Sequence, residues 1–220
     1  MKPLALRVTL VLGACLAGPS MAAEGVLAQL YAPSPPAGSA FVRVVNPSAD
    51  TVKVQVSNGT EQAIGPAQLA SNYTVVKGDQ SFAVSLNGKQ AGQLKVAPDS
   101  FNTLVQHNGE FQILDDSNGN EDALKAELRF YNLASDCPKG SLNVADGGPV
   151  LFADVAPLAT VARGINPVSA SLSAGCGNVT SEKLPLPALK PGDHYSLFLT
   201  GSAAAPVLRG QLAITEGYGK

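Results

Sequence analysis

Tryptophan is absent from this chain of 220 residues, histidine and methionine occur twice each, and cysteine three times. Without tryptophan the strongest flat platform for a sugar ring is missing, and the five tyrosines have to serve if the chain grips carbohydrate at all. The histidines, His107 in "VQHNGE" and His194 in "PGDHY", leave little for general acid–base work or metal ligation. Neither H-E-x-x-H nor a paired Cys/His spacing occurs, and the G-x-S-x-G elbow and the glycine-rich phosphate loops are missing as well. Serines are plentiful, but nothing in the sequence places a histidine and a carboxylate beside any one of them. Carboxylates meeting in space, as in glycosidases, stay open. These absences argue against an enzyme, a cofactor and a metal site. Charged residues make up 15% of the chain, with a net charge of −2 and no Lys/Arg cluster, which argues against a nucleic-acid partner.

No apolar run is long enough to span a bilayer as a helix, which takes about 20 residues. The longest, "VTLVLGACLAG", follows Lys2 and Arg7 and precedes "PSMAA", where Ser20 and Ala22 stand at −3 and −1 of a cleavage site. Residues 1–22 therefore read as a cleaved signal peptide, and the mature protein as soluble and outside the cytoplasm. "LGAC" resembles a lipobox that would anchor the chain at Cys15 instead; the short apolar stretch before that cysteine favours the plain signal.

What is present is strand-like. "TVKVQVS" places Val52, Val54 and Val56 on one face, "SFAVSLN" Phe82, Val84 and Leu86, and "VSASLS" Val168, Ala170 and Leu172. Alternation with period two marks strands with one buried face, and dense turn formers separate them. Only "EDALKAEL", Glu121 to Leu128, is ambiguous between helix and strand.

The strands repeat. "FVRVVNPS" from Phe41 returns as "LRFYNLAS" from Leu128, with Asn46 and Asn132 turning the chain afterwards. Each half closes on a proline–aspartate turn feeding an aromatic strand: Pro98, Asp99 and Phe101, then Pro191, Asp193 and Tyr195. A period of about ninety residues suits an immunoglobulin-like sandwich. The fold expected is all-β, two tandem immunoglobulin-like β-sandwich domains at 23–114 and 124–220. "DDSNGNEDA", Asp115 to Ala123, reads as a solvated acidic linker between them. An EF-hand loop would need its first ligand at Leu114, which has none to offer. Arg43 and Arg129 are either wet-face residues or ligand contacts, and the wet face is the safer reading. Tyr31, in "LYAPSPPAGS", is either a docking element or part of an edge segment that its prolines protect from pairing.

Cys137 and Cys176 are the cysteines left after signal removal. In an oxidising compartment an isolated pair forms a disulfide, and no C-x-x-C or neighbouring base suggests a reactive thiol.

Four stretches carry a family resemblance: "LYAPSPPAGSAFVRVVNPS", "LRFYNLAS", "RGINPVSASL" and "LPALKPGDHYSLFLTG". They resemble the AlgF family in the same order across the mature chain. The resemblance implies a periplasmic protein required for O-acetylation of an exopolysaccharide, alginate or, in related systems, cellulose. It implies two β-sandwiches and no catalytic site of its own. As partners it implies periplasmic SGNH-type acetyltransferases, AlgJ-like and AlgX-like, and the membrane O-acyltransferase that supplies them. The alternative is a secreted carbohydrate-binding module that holds the polymer itself; a direct acetyltransferase comes third.

Overall fold

Alternating runs stopped by Gly, Asn or Pro fold as strands throughout the computed structural model, which describes residues 34–119, 122–134 and 136–218. The signal segment to Ala22, the Cys15 alternative and Tyr31 lie outside the described residues.

The first half holds β1 (Ser39–Val45), β2 (Val52–Val56), β3 (Gln62–Ile64), β4 (Thr74–Lys77), β5 (Phe82–Leu86), β6 (Lys89–Leu94), β7 (Phe101–His107) and β8 (Glu110–Asp115). They form two sheets, ordered β4-β1-β7-β8 and β3-β2-β5-β6. Hairpins β5–β6 and β7–β8 turn on Asn87-Gly88 and Asn108-Gly109, all four with positive φ. Asn-Gly suits the tight turn whose twist matches the flanking strands. His107 thus stands at a hairpin end, opposite Glu110.

The second half holds β9 (Ala126–Asn132), β10 (Gly140–Val144), β11 (Val150–Val155), β12 (Ala159–Ile165), β13 (Ser171–Cys176), β14 (Val179–Thr180), β15 (Leu184–Pro185), β16 (His194–Ser202) and β17 (Ala205–Leu212). Its sheets are β12-β9-β16-β17 and β11-β10-β13-β14, with β15 also on β13. The topology of the first half is written again. β1 pairs parallel with β7 as β9 does with β16, and antiparallel neighbours flank both pairs. The register refines the expected repeat. Phe41 faces Phe101 and Arg43 faces Thr103; Glu127 faces His194 and Arg129 faces Ser196. The counterpart of Phe101 is therefore His194, not Tyr195. The turn ahead of each strand agrees, with Asp99 and Gly192 both in the left-handed region that follows a proline.

Each sandwich closes its own core. Ala40, Val42, Val44, Val54, Val84 and Leu104 pack in the first; Leu128, Phe130, Leu142, Leu172, Leu197 and Leu199 in the second. A third cluster lies between them, with Val45, Leu69, Ala70, Val105 and Leu114 from one half meeting Tyr131, Leu133 and Phe198 from the other. The sheets that carry β1 and β9 thus face one another, and both strands are covered on both sides. Tyr131 stacks on Phe198 with centroids 5.0 Å apart, an arrangement worth about 0.5–1.5 kcal/mol beyond its buried area. Gln211 clamps the joint. Its amide accepts from the Ala70 N–H at 3.1 Å and donates to the Ala70 carbonyl at 2.7 Å. The chain after β17 returns to the first sandwich, where the Tyr73 N–H donates to the Ile214 carbonyl and the Glu216 N–H to the Tyr73 carbonyl.

Several expectations are corrected. Arg43 and Arg129 are buried, 1% and 6% exposed, not on a wet face. The neighbouring sandwich covers the side of the strand that an isolated domain would leave in water. The acidic stretch from Asp115 is not a solvated linker at its start: Asp115 ends β8, and Asp116 is buried between the sandwiches. Of "EDALKAEL", residues 122–125 are neither helix nor strand; the Asp122 carboxylate accepts from the Leu124 N–H, a turn that delivers the chain into β9 at Ala126. Val168 is 56% exposed, because β13 begins only at Ser171, after Pro167. Asn46 turns the chain as expected, its side chain accepting from the Ser48 N–H. Asn132 is buried instead and donates to the carbonyls of Cys137 and Val155. A disulfide joins Cys137 to Cys176 with Cα atoms 5.6 Å apart, tying the loop ahead of β10 to the end of β13 inside the second core.

Candidate functional site

A strand covered on both faces has no water for a polar side chain, so Arg43 has to find its partners inside the protein. Its own sandwich supplies Thr103 on β7, and the opposite one supplies Tyr131 and Ser196. Arg43 donates from Nε to the Thr103 hydroxyl at 2.9 Å, and from Nη2 to the Tyr131 hydroxyl at 2.6 Å and the Ser196 hydroxyl at 2.8 Å. Its guanidinium lies 4.6 Å from the Tyr73 ring centre, 5.5 Å from that of Tyr131 and 5.8 Å from that of Phe198.

Asp116 supplies the opposing charge. It accepts from the hydroxyls of Tyr73 at 2.7 Å and Tyr131 at 2.8 Å, and from Thr103. It stands 3.9 Å from Arg43 Nη2 and 4.0 Å from Arg129 Nη1. Arg129, the repeat of Arg43, donates to Glu127 at 3.0 Å and to the Asn118 carbonyl at 2.9 Å. One atom of the group is left over. Arg43 Nη1 is buried with no hydrogen-bond partner among the described residues, at a desolvation cost of about 1–3 kcal/mol or more for a charged group.

Burial works against the charge on Arg43, but Tyr131, Tyr73 and Asp116 outweigh it and raise its pKa. Burial pushes Tyr73 well above the ordinary tyrosine range and Tyr131 up to about 12, in each case against the opposing pull of Arg43. Stability at alkaline pH follows. An unfolded tyrosine ionises near about pH 10, whereas folded Tyr131 keeps its proton to about 12. In that window the unfolded chain binds fewer protons than the folded one, so stability falls as pH rises. The expected slope from Tyr131 is about 1.4 kcal/mol per pH unit. Urea unfolding followed by circular dichroism across this range checks it, and Tyr131→Phe should reduce the slope by that amount, leaving the contribution of Tyr73. A flat profile for the unaltered protein contradicts the assignment.

Beside this network opens a cleft of about 380 Å3, lined among others by Arg43, Tyr73, Phe101, Glu127, Arg129 and His194. The repeat makes its two walls differ. Where the first half stacks Phe41 on Phe101 with centroids 4.3 Å apart, the second sets Glu127 against His194 with Nδ1 and Oε1 3.4 Å apart. The nearby hydroxyl, Ser196, accepts from Arg43 and lies in the buried network, while the His194 side chain is 57% exposed. The network thus joins the two sandwiches, and the cleft beside it is lined by two arginines together with the Tyr73 and Phe101 rings.

Of the residues singled out in the sequence, Arg43, Arg129 and His194 come together here. His107 stands at the β7–β8 hairpin, and the disulfide lies in the second core. Tyr73, Thr103, Asp116, Tyr131 and Ser196 were not visible as a site. The signal that could have found them is in "FVRVV" and "LRFYN": apolar residues at both parities around an arginine mark a strand buried on both faces. Among the described residues, no three His, Cys, Asp or Glu side chains are grouped to hold a metal ion, and no helix is long and apolar enough to cross a membrane.

Comparison with known proteins gives a consistent result. A family model described as alginate O-acetyl transferase AlgF matches residues 13–195. The alginate biosynthesis protein AlgF of Pseudomonas putida is 31% identical, covering 92% of this chain and 91% of the relative. That of Pseudomonas aeruginosa is also 31% identical, over 94% of this chain and 96% of the relative. Among solved structures, the C-terminal domain of AlgF from P. aeruginosa aligns at 30% identity and a TM-score of 0.36, covering 40% of this chain and 98% of that domain.

Proposed function

The chain belongs to the AlgF family, and on that premise we propose that it is a non-catalytic periplasmic adaptor for alginate O-acetylation. It would bind periplasmic SGNH-type acetyltransferases, AlgJ-like and AlgX-like, and hold them near the membrane O-acyltransferase. The observation that carries this reading is the back-to-back packing of the sandwiches. Sheets β4-β1-β7-β8 and β12-β9-β16-β17 are spent on each other, so β3-β2-β5-β6 and the sheet of β11, β10 and β13–β15 face away from the joint. One unit then offers two opposed surfaces, one for each partner. Holding two enzymes on one support makes their encounter intramolecular, which raises avidity by roughly 10²–10⁴. The network between the sandwiches supports a structural role for its reactive groups: the hydroxyls of Thr103, Tyr131 and Ser196 are bound to Arg43.

Deleting the gene and measuring the acetyl content of secreted alginate tests the reading. A fall in acetylation with chain length unchanged is expected, together with co-purification of the acetyltransferases with the protein. Unchanged acetyl content overturns it. Saturable binding to alginate without affinity for either acetyltransferase would favour a carbohydrate-binding module instead, and acetate release from a model ester, lost on one side-chain change, an enzyme.

A further inference from the structure

Arg43, which lines the cleft between the sandwiches, has a donor with no acceptor among the described residues. Arg43 is 1% exposed, donates from Nε and Nη2, and leaves Nη1 without a hydrogen-bond partner among the described residues. Asp116, the acid beside it, approaches Nη2 at 3.9 Å. Its oxygens already accept from Tyr73, Tyr131 and Thr103. The same residue is among those that line a cleft of about 380 Å3, far more than the roughly 10–15 Å3 needed to admit one water. A second cation, Arg129, lines it, and the Phe101 ring, 37% exposed, forms an apolar part of the wall.

We propose that this cleft binds a small organic carboxylate, whose oxygens accept from Arg43 Nη1 while its carbon chain lies against Phe101 and Tyr73. The guanidinium fork fits a carboxylate as it fits a phosphate. The lining decides between them. Asp116 and Glu127 share the cleft with the two arginines, so a dianion meets more repulsion than a monoanion does. The rings beside Arg43 reward a carbon skeleton, which inorganic phosphate lacks. Residues of both sandwiches form the site, so its occupant also joins them. The proposal goes beyond the adaptor reading and is tested apart from it.

The test is a titration of the purified protein with sodium acetate, followed by two-dimensional NMR of backbone amides and arginine Nε–H groups. Sodium chloride and sodium phosphate at the same ionic strength serve as controls. Saturable shifts at Arg43, Tyr73 and Phe101 are expected with acetate alone. Arg43→Lys keeps the charge but removes the Nη1 edge, and should weaken binding by at least roughly tenfold, the loss of one charge-assisted hydrogen bond. If that variant does not fold, Phe101→Ala decides, since its ring is part of the cleft wall and partly exposed. It should weaken acetate binding while the free protein, though it loses the stack on Phe41, keeps a folded, dispersed amide spectrum. Shifts that do not saturate, equal shifts with chloride, or binding indifferent to both variants overturn the proposal.

Discussion

Asp116→Ala is expected to cost roughly 3–5 kcal/mol of stability, the usual loss when one partner of a buried ion pair is removed. Asp116 is 6% exposed, and it takes hydrogen bonds from Tyr73, Tyr131 and Thr103. Without it, Arg43 stays buried with no opposing charge nearby, since Glu127 is paired with Arg129. For a chain of this size the fall in Tm should be roughly 6–20 °C. Replacing both partners, Arg43→Met with Asp116→Leu, should recover much of the loss, because two buried charges are removed together with their desolvation cost. Thermal unfolding by circular dichroism of the two single variants and the double variant closes the cycle. A loss below about 1 kcal/mol for Asp116→Ala, the range of an exposed pair, would falsify the view that this carboxylate holds the sandwiches together.

Removing the disulfide, by Cys137→Ala with Cys176→Ala, is the second large effect. The bridge closes a loop between positions 39 apart, and loop-closure entropy sets its contribution at roughly 4 kcal/mol. Both sulfurs lie in the second core, so the effect should be confined there. Amide exchange should quicken in β10 and β13 and change little in β1 to β8. Intact mass analysis without reductant should find the protein two hydrogens lighter than after reduction. Two free thiols, or a loss spread evenly over both sandwiches, would contradict this account.

Most strands were legible because each is a local pattern. "VKVQV" and "FAVSL" alternate, and Val54, Val56, Phe82 and Val84 are buried as the alternation requires. The Asn-Gly turns and the prolines ahead of β7 and β16 were equally plain, since backbone conformation there depends on one or two residues. The duplication, too, could be read from two short stretches, though only the pairing of β1 with β7 and β9 with β16 set its register. Arg43 and Arg129 were misjudged for a single reason. Alternation assigns a side chain to one face of a strand, and says nothing about what covers that face.

The order of amino acids determined the number of sandwiches, most of their strands and the membership of the AlgF family, because periodicity, turn chemistry and family resemblance are properties of the chain read along its length. The tertiary structure decided the rest. The packing of one sheet against another brought Arg43 to Tyr131 across 88 positions and to Ser196 across 153, moved Asp116 from an apparent linker into the interior, and left a cleft between the halves. Contacts at such separations depend on how two finished surfaces meet, and neither surface encodes that meeting in its own local pattern.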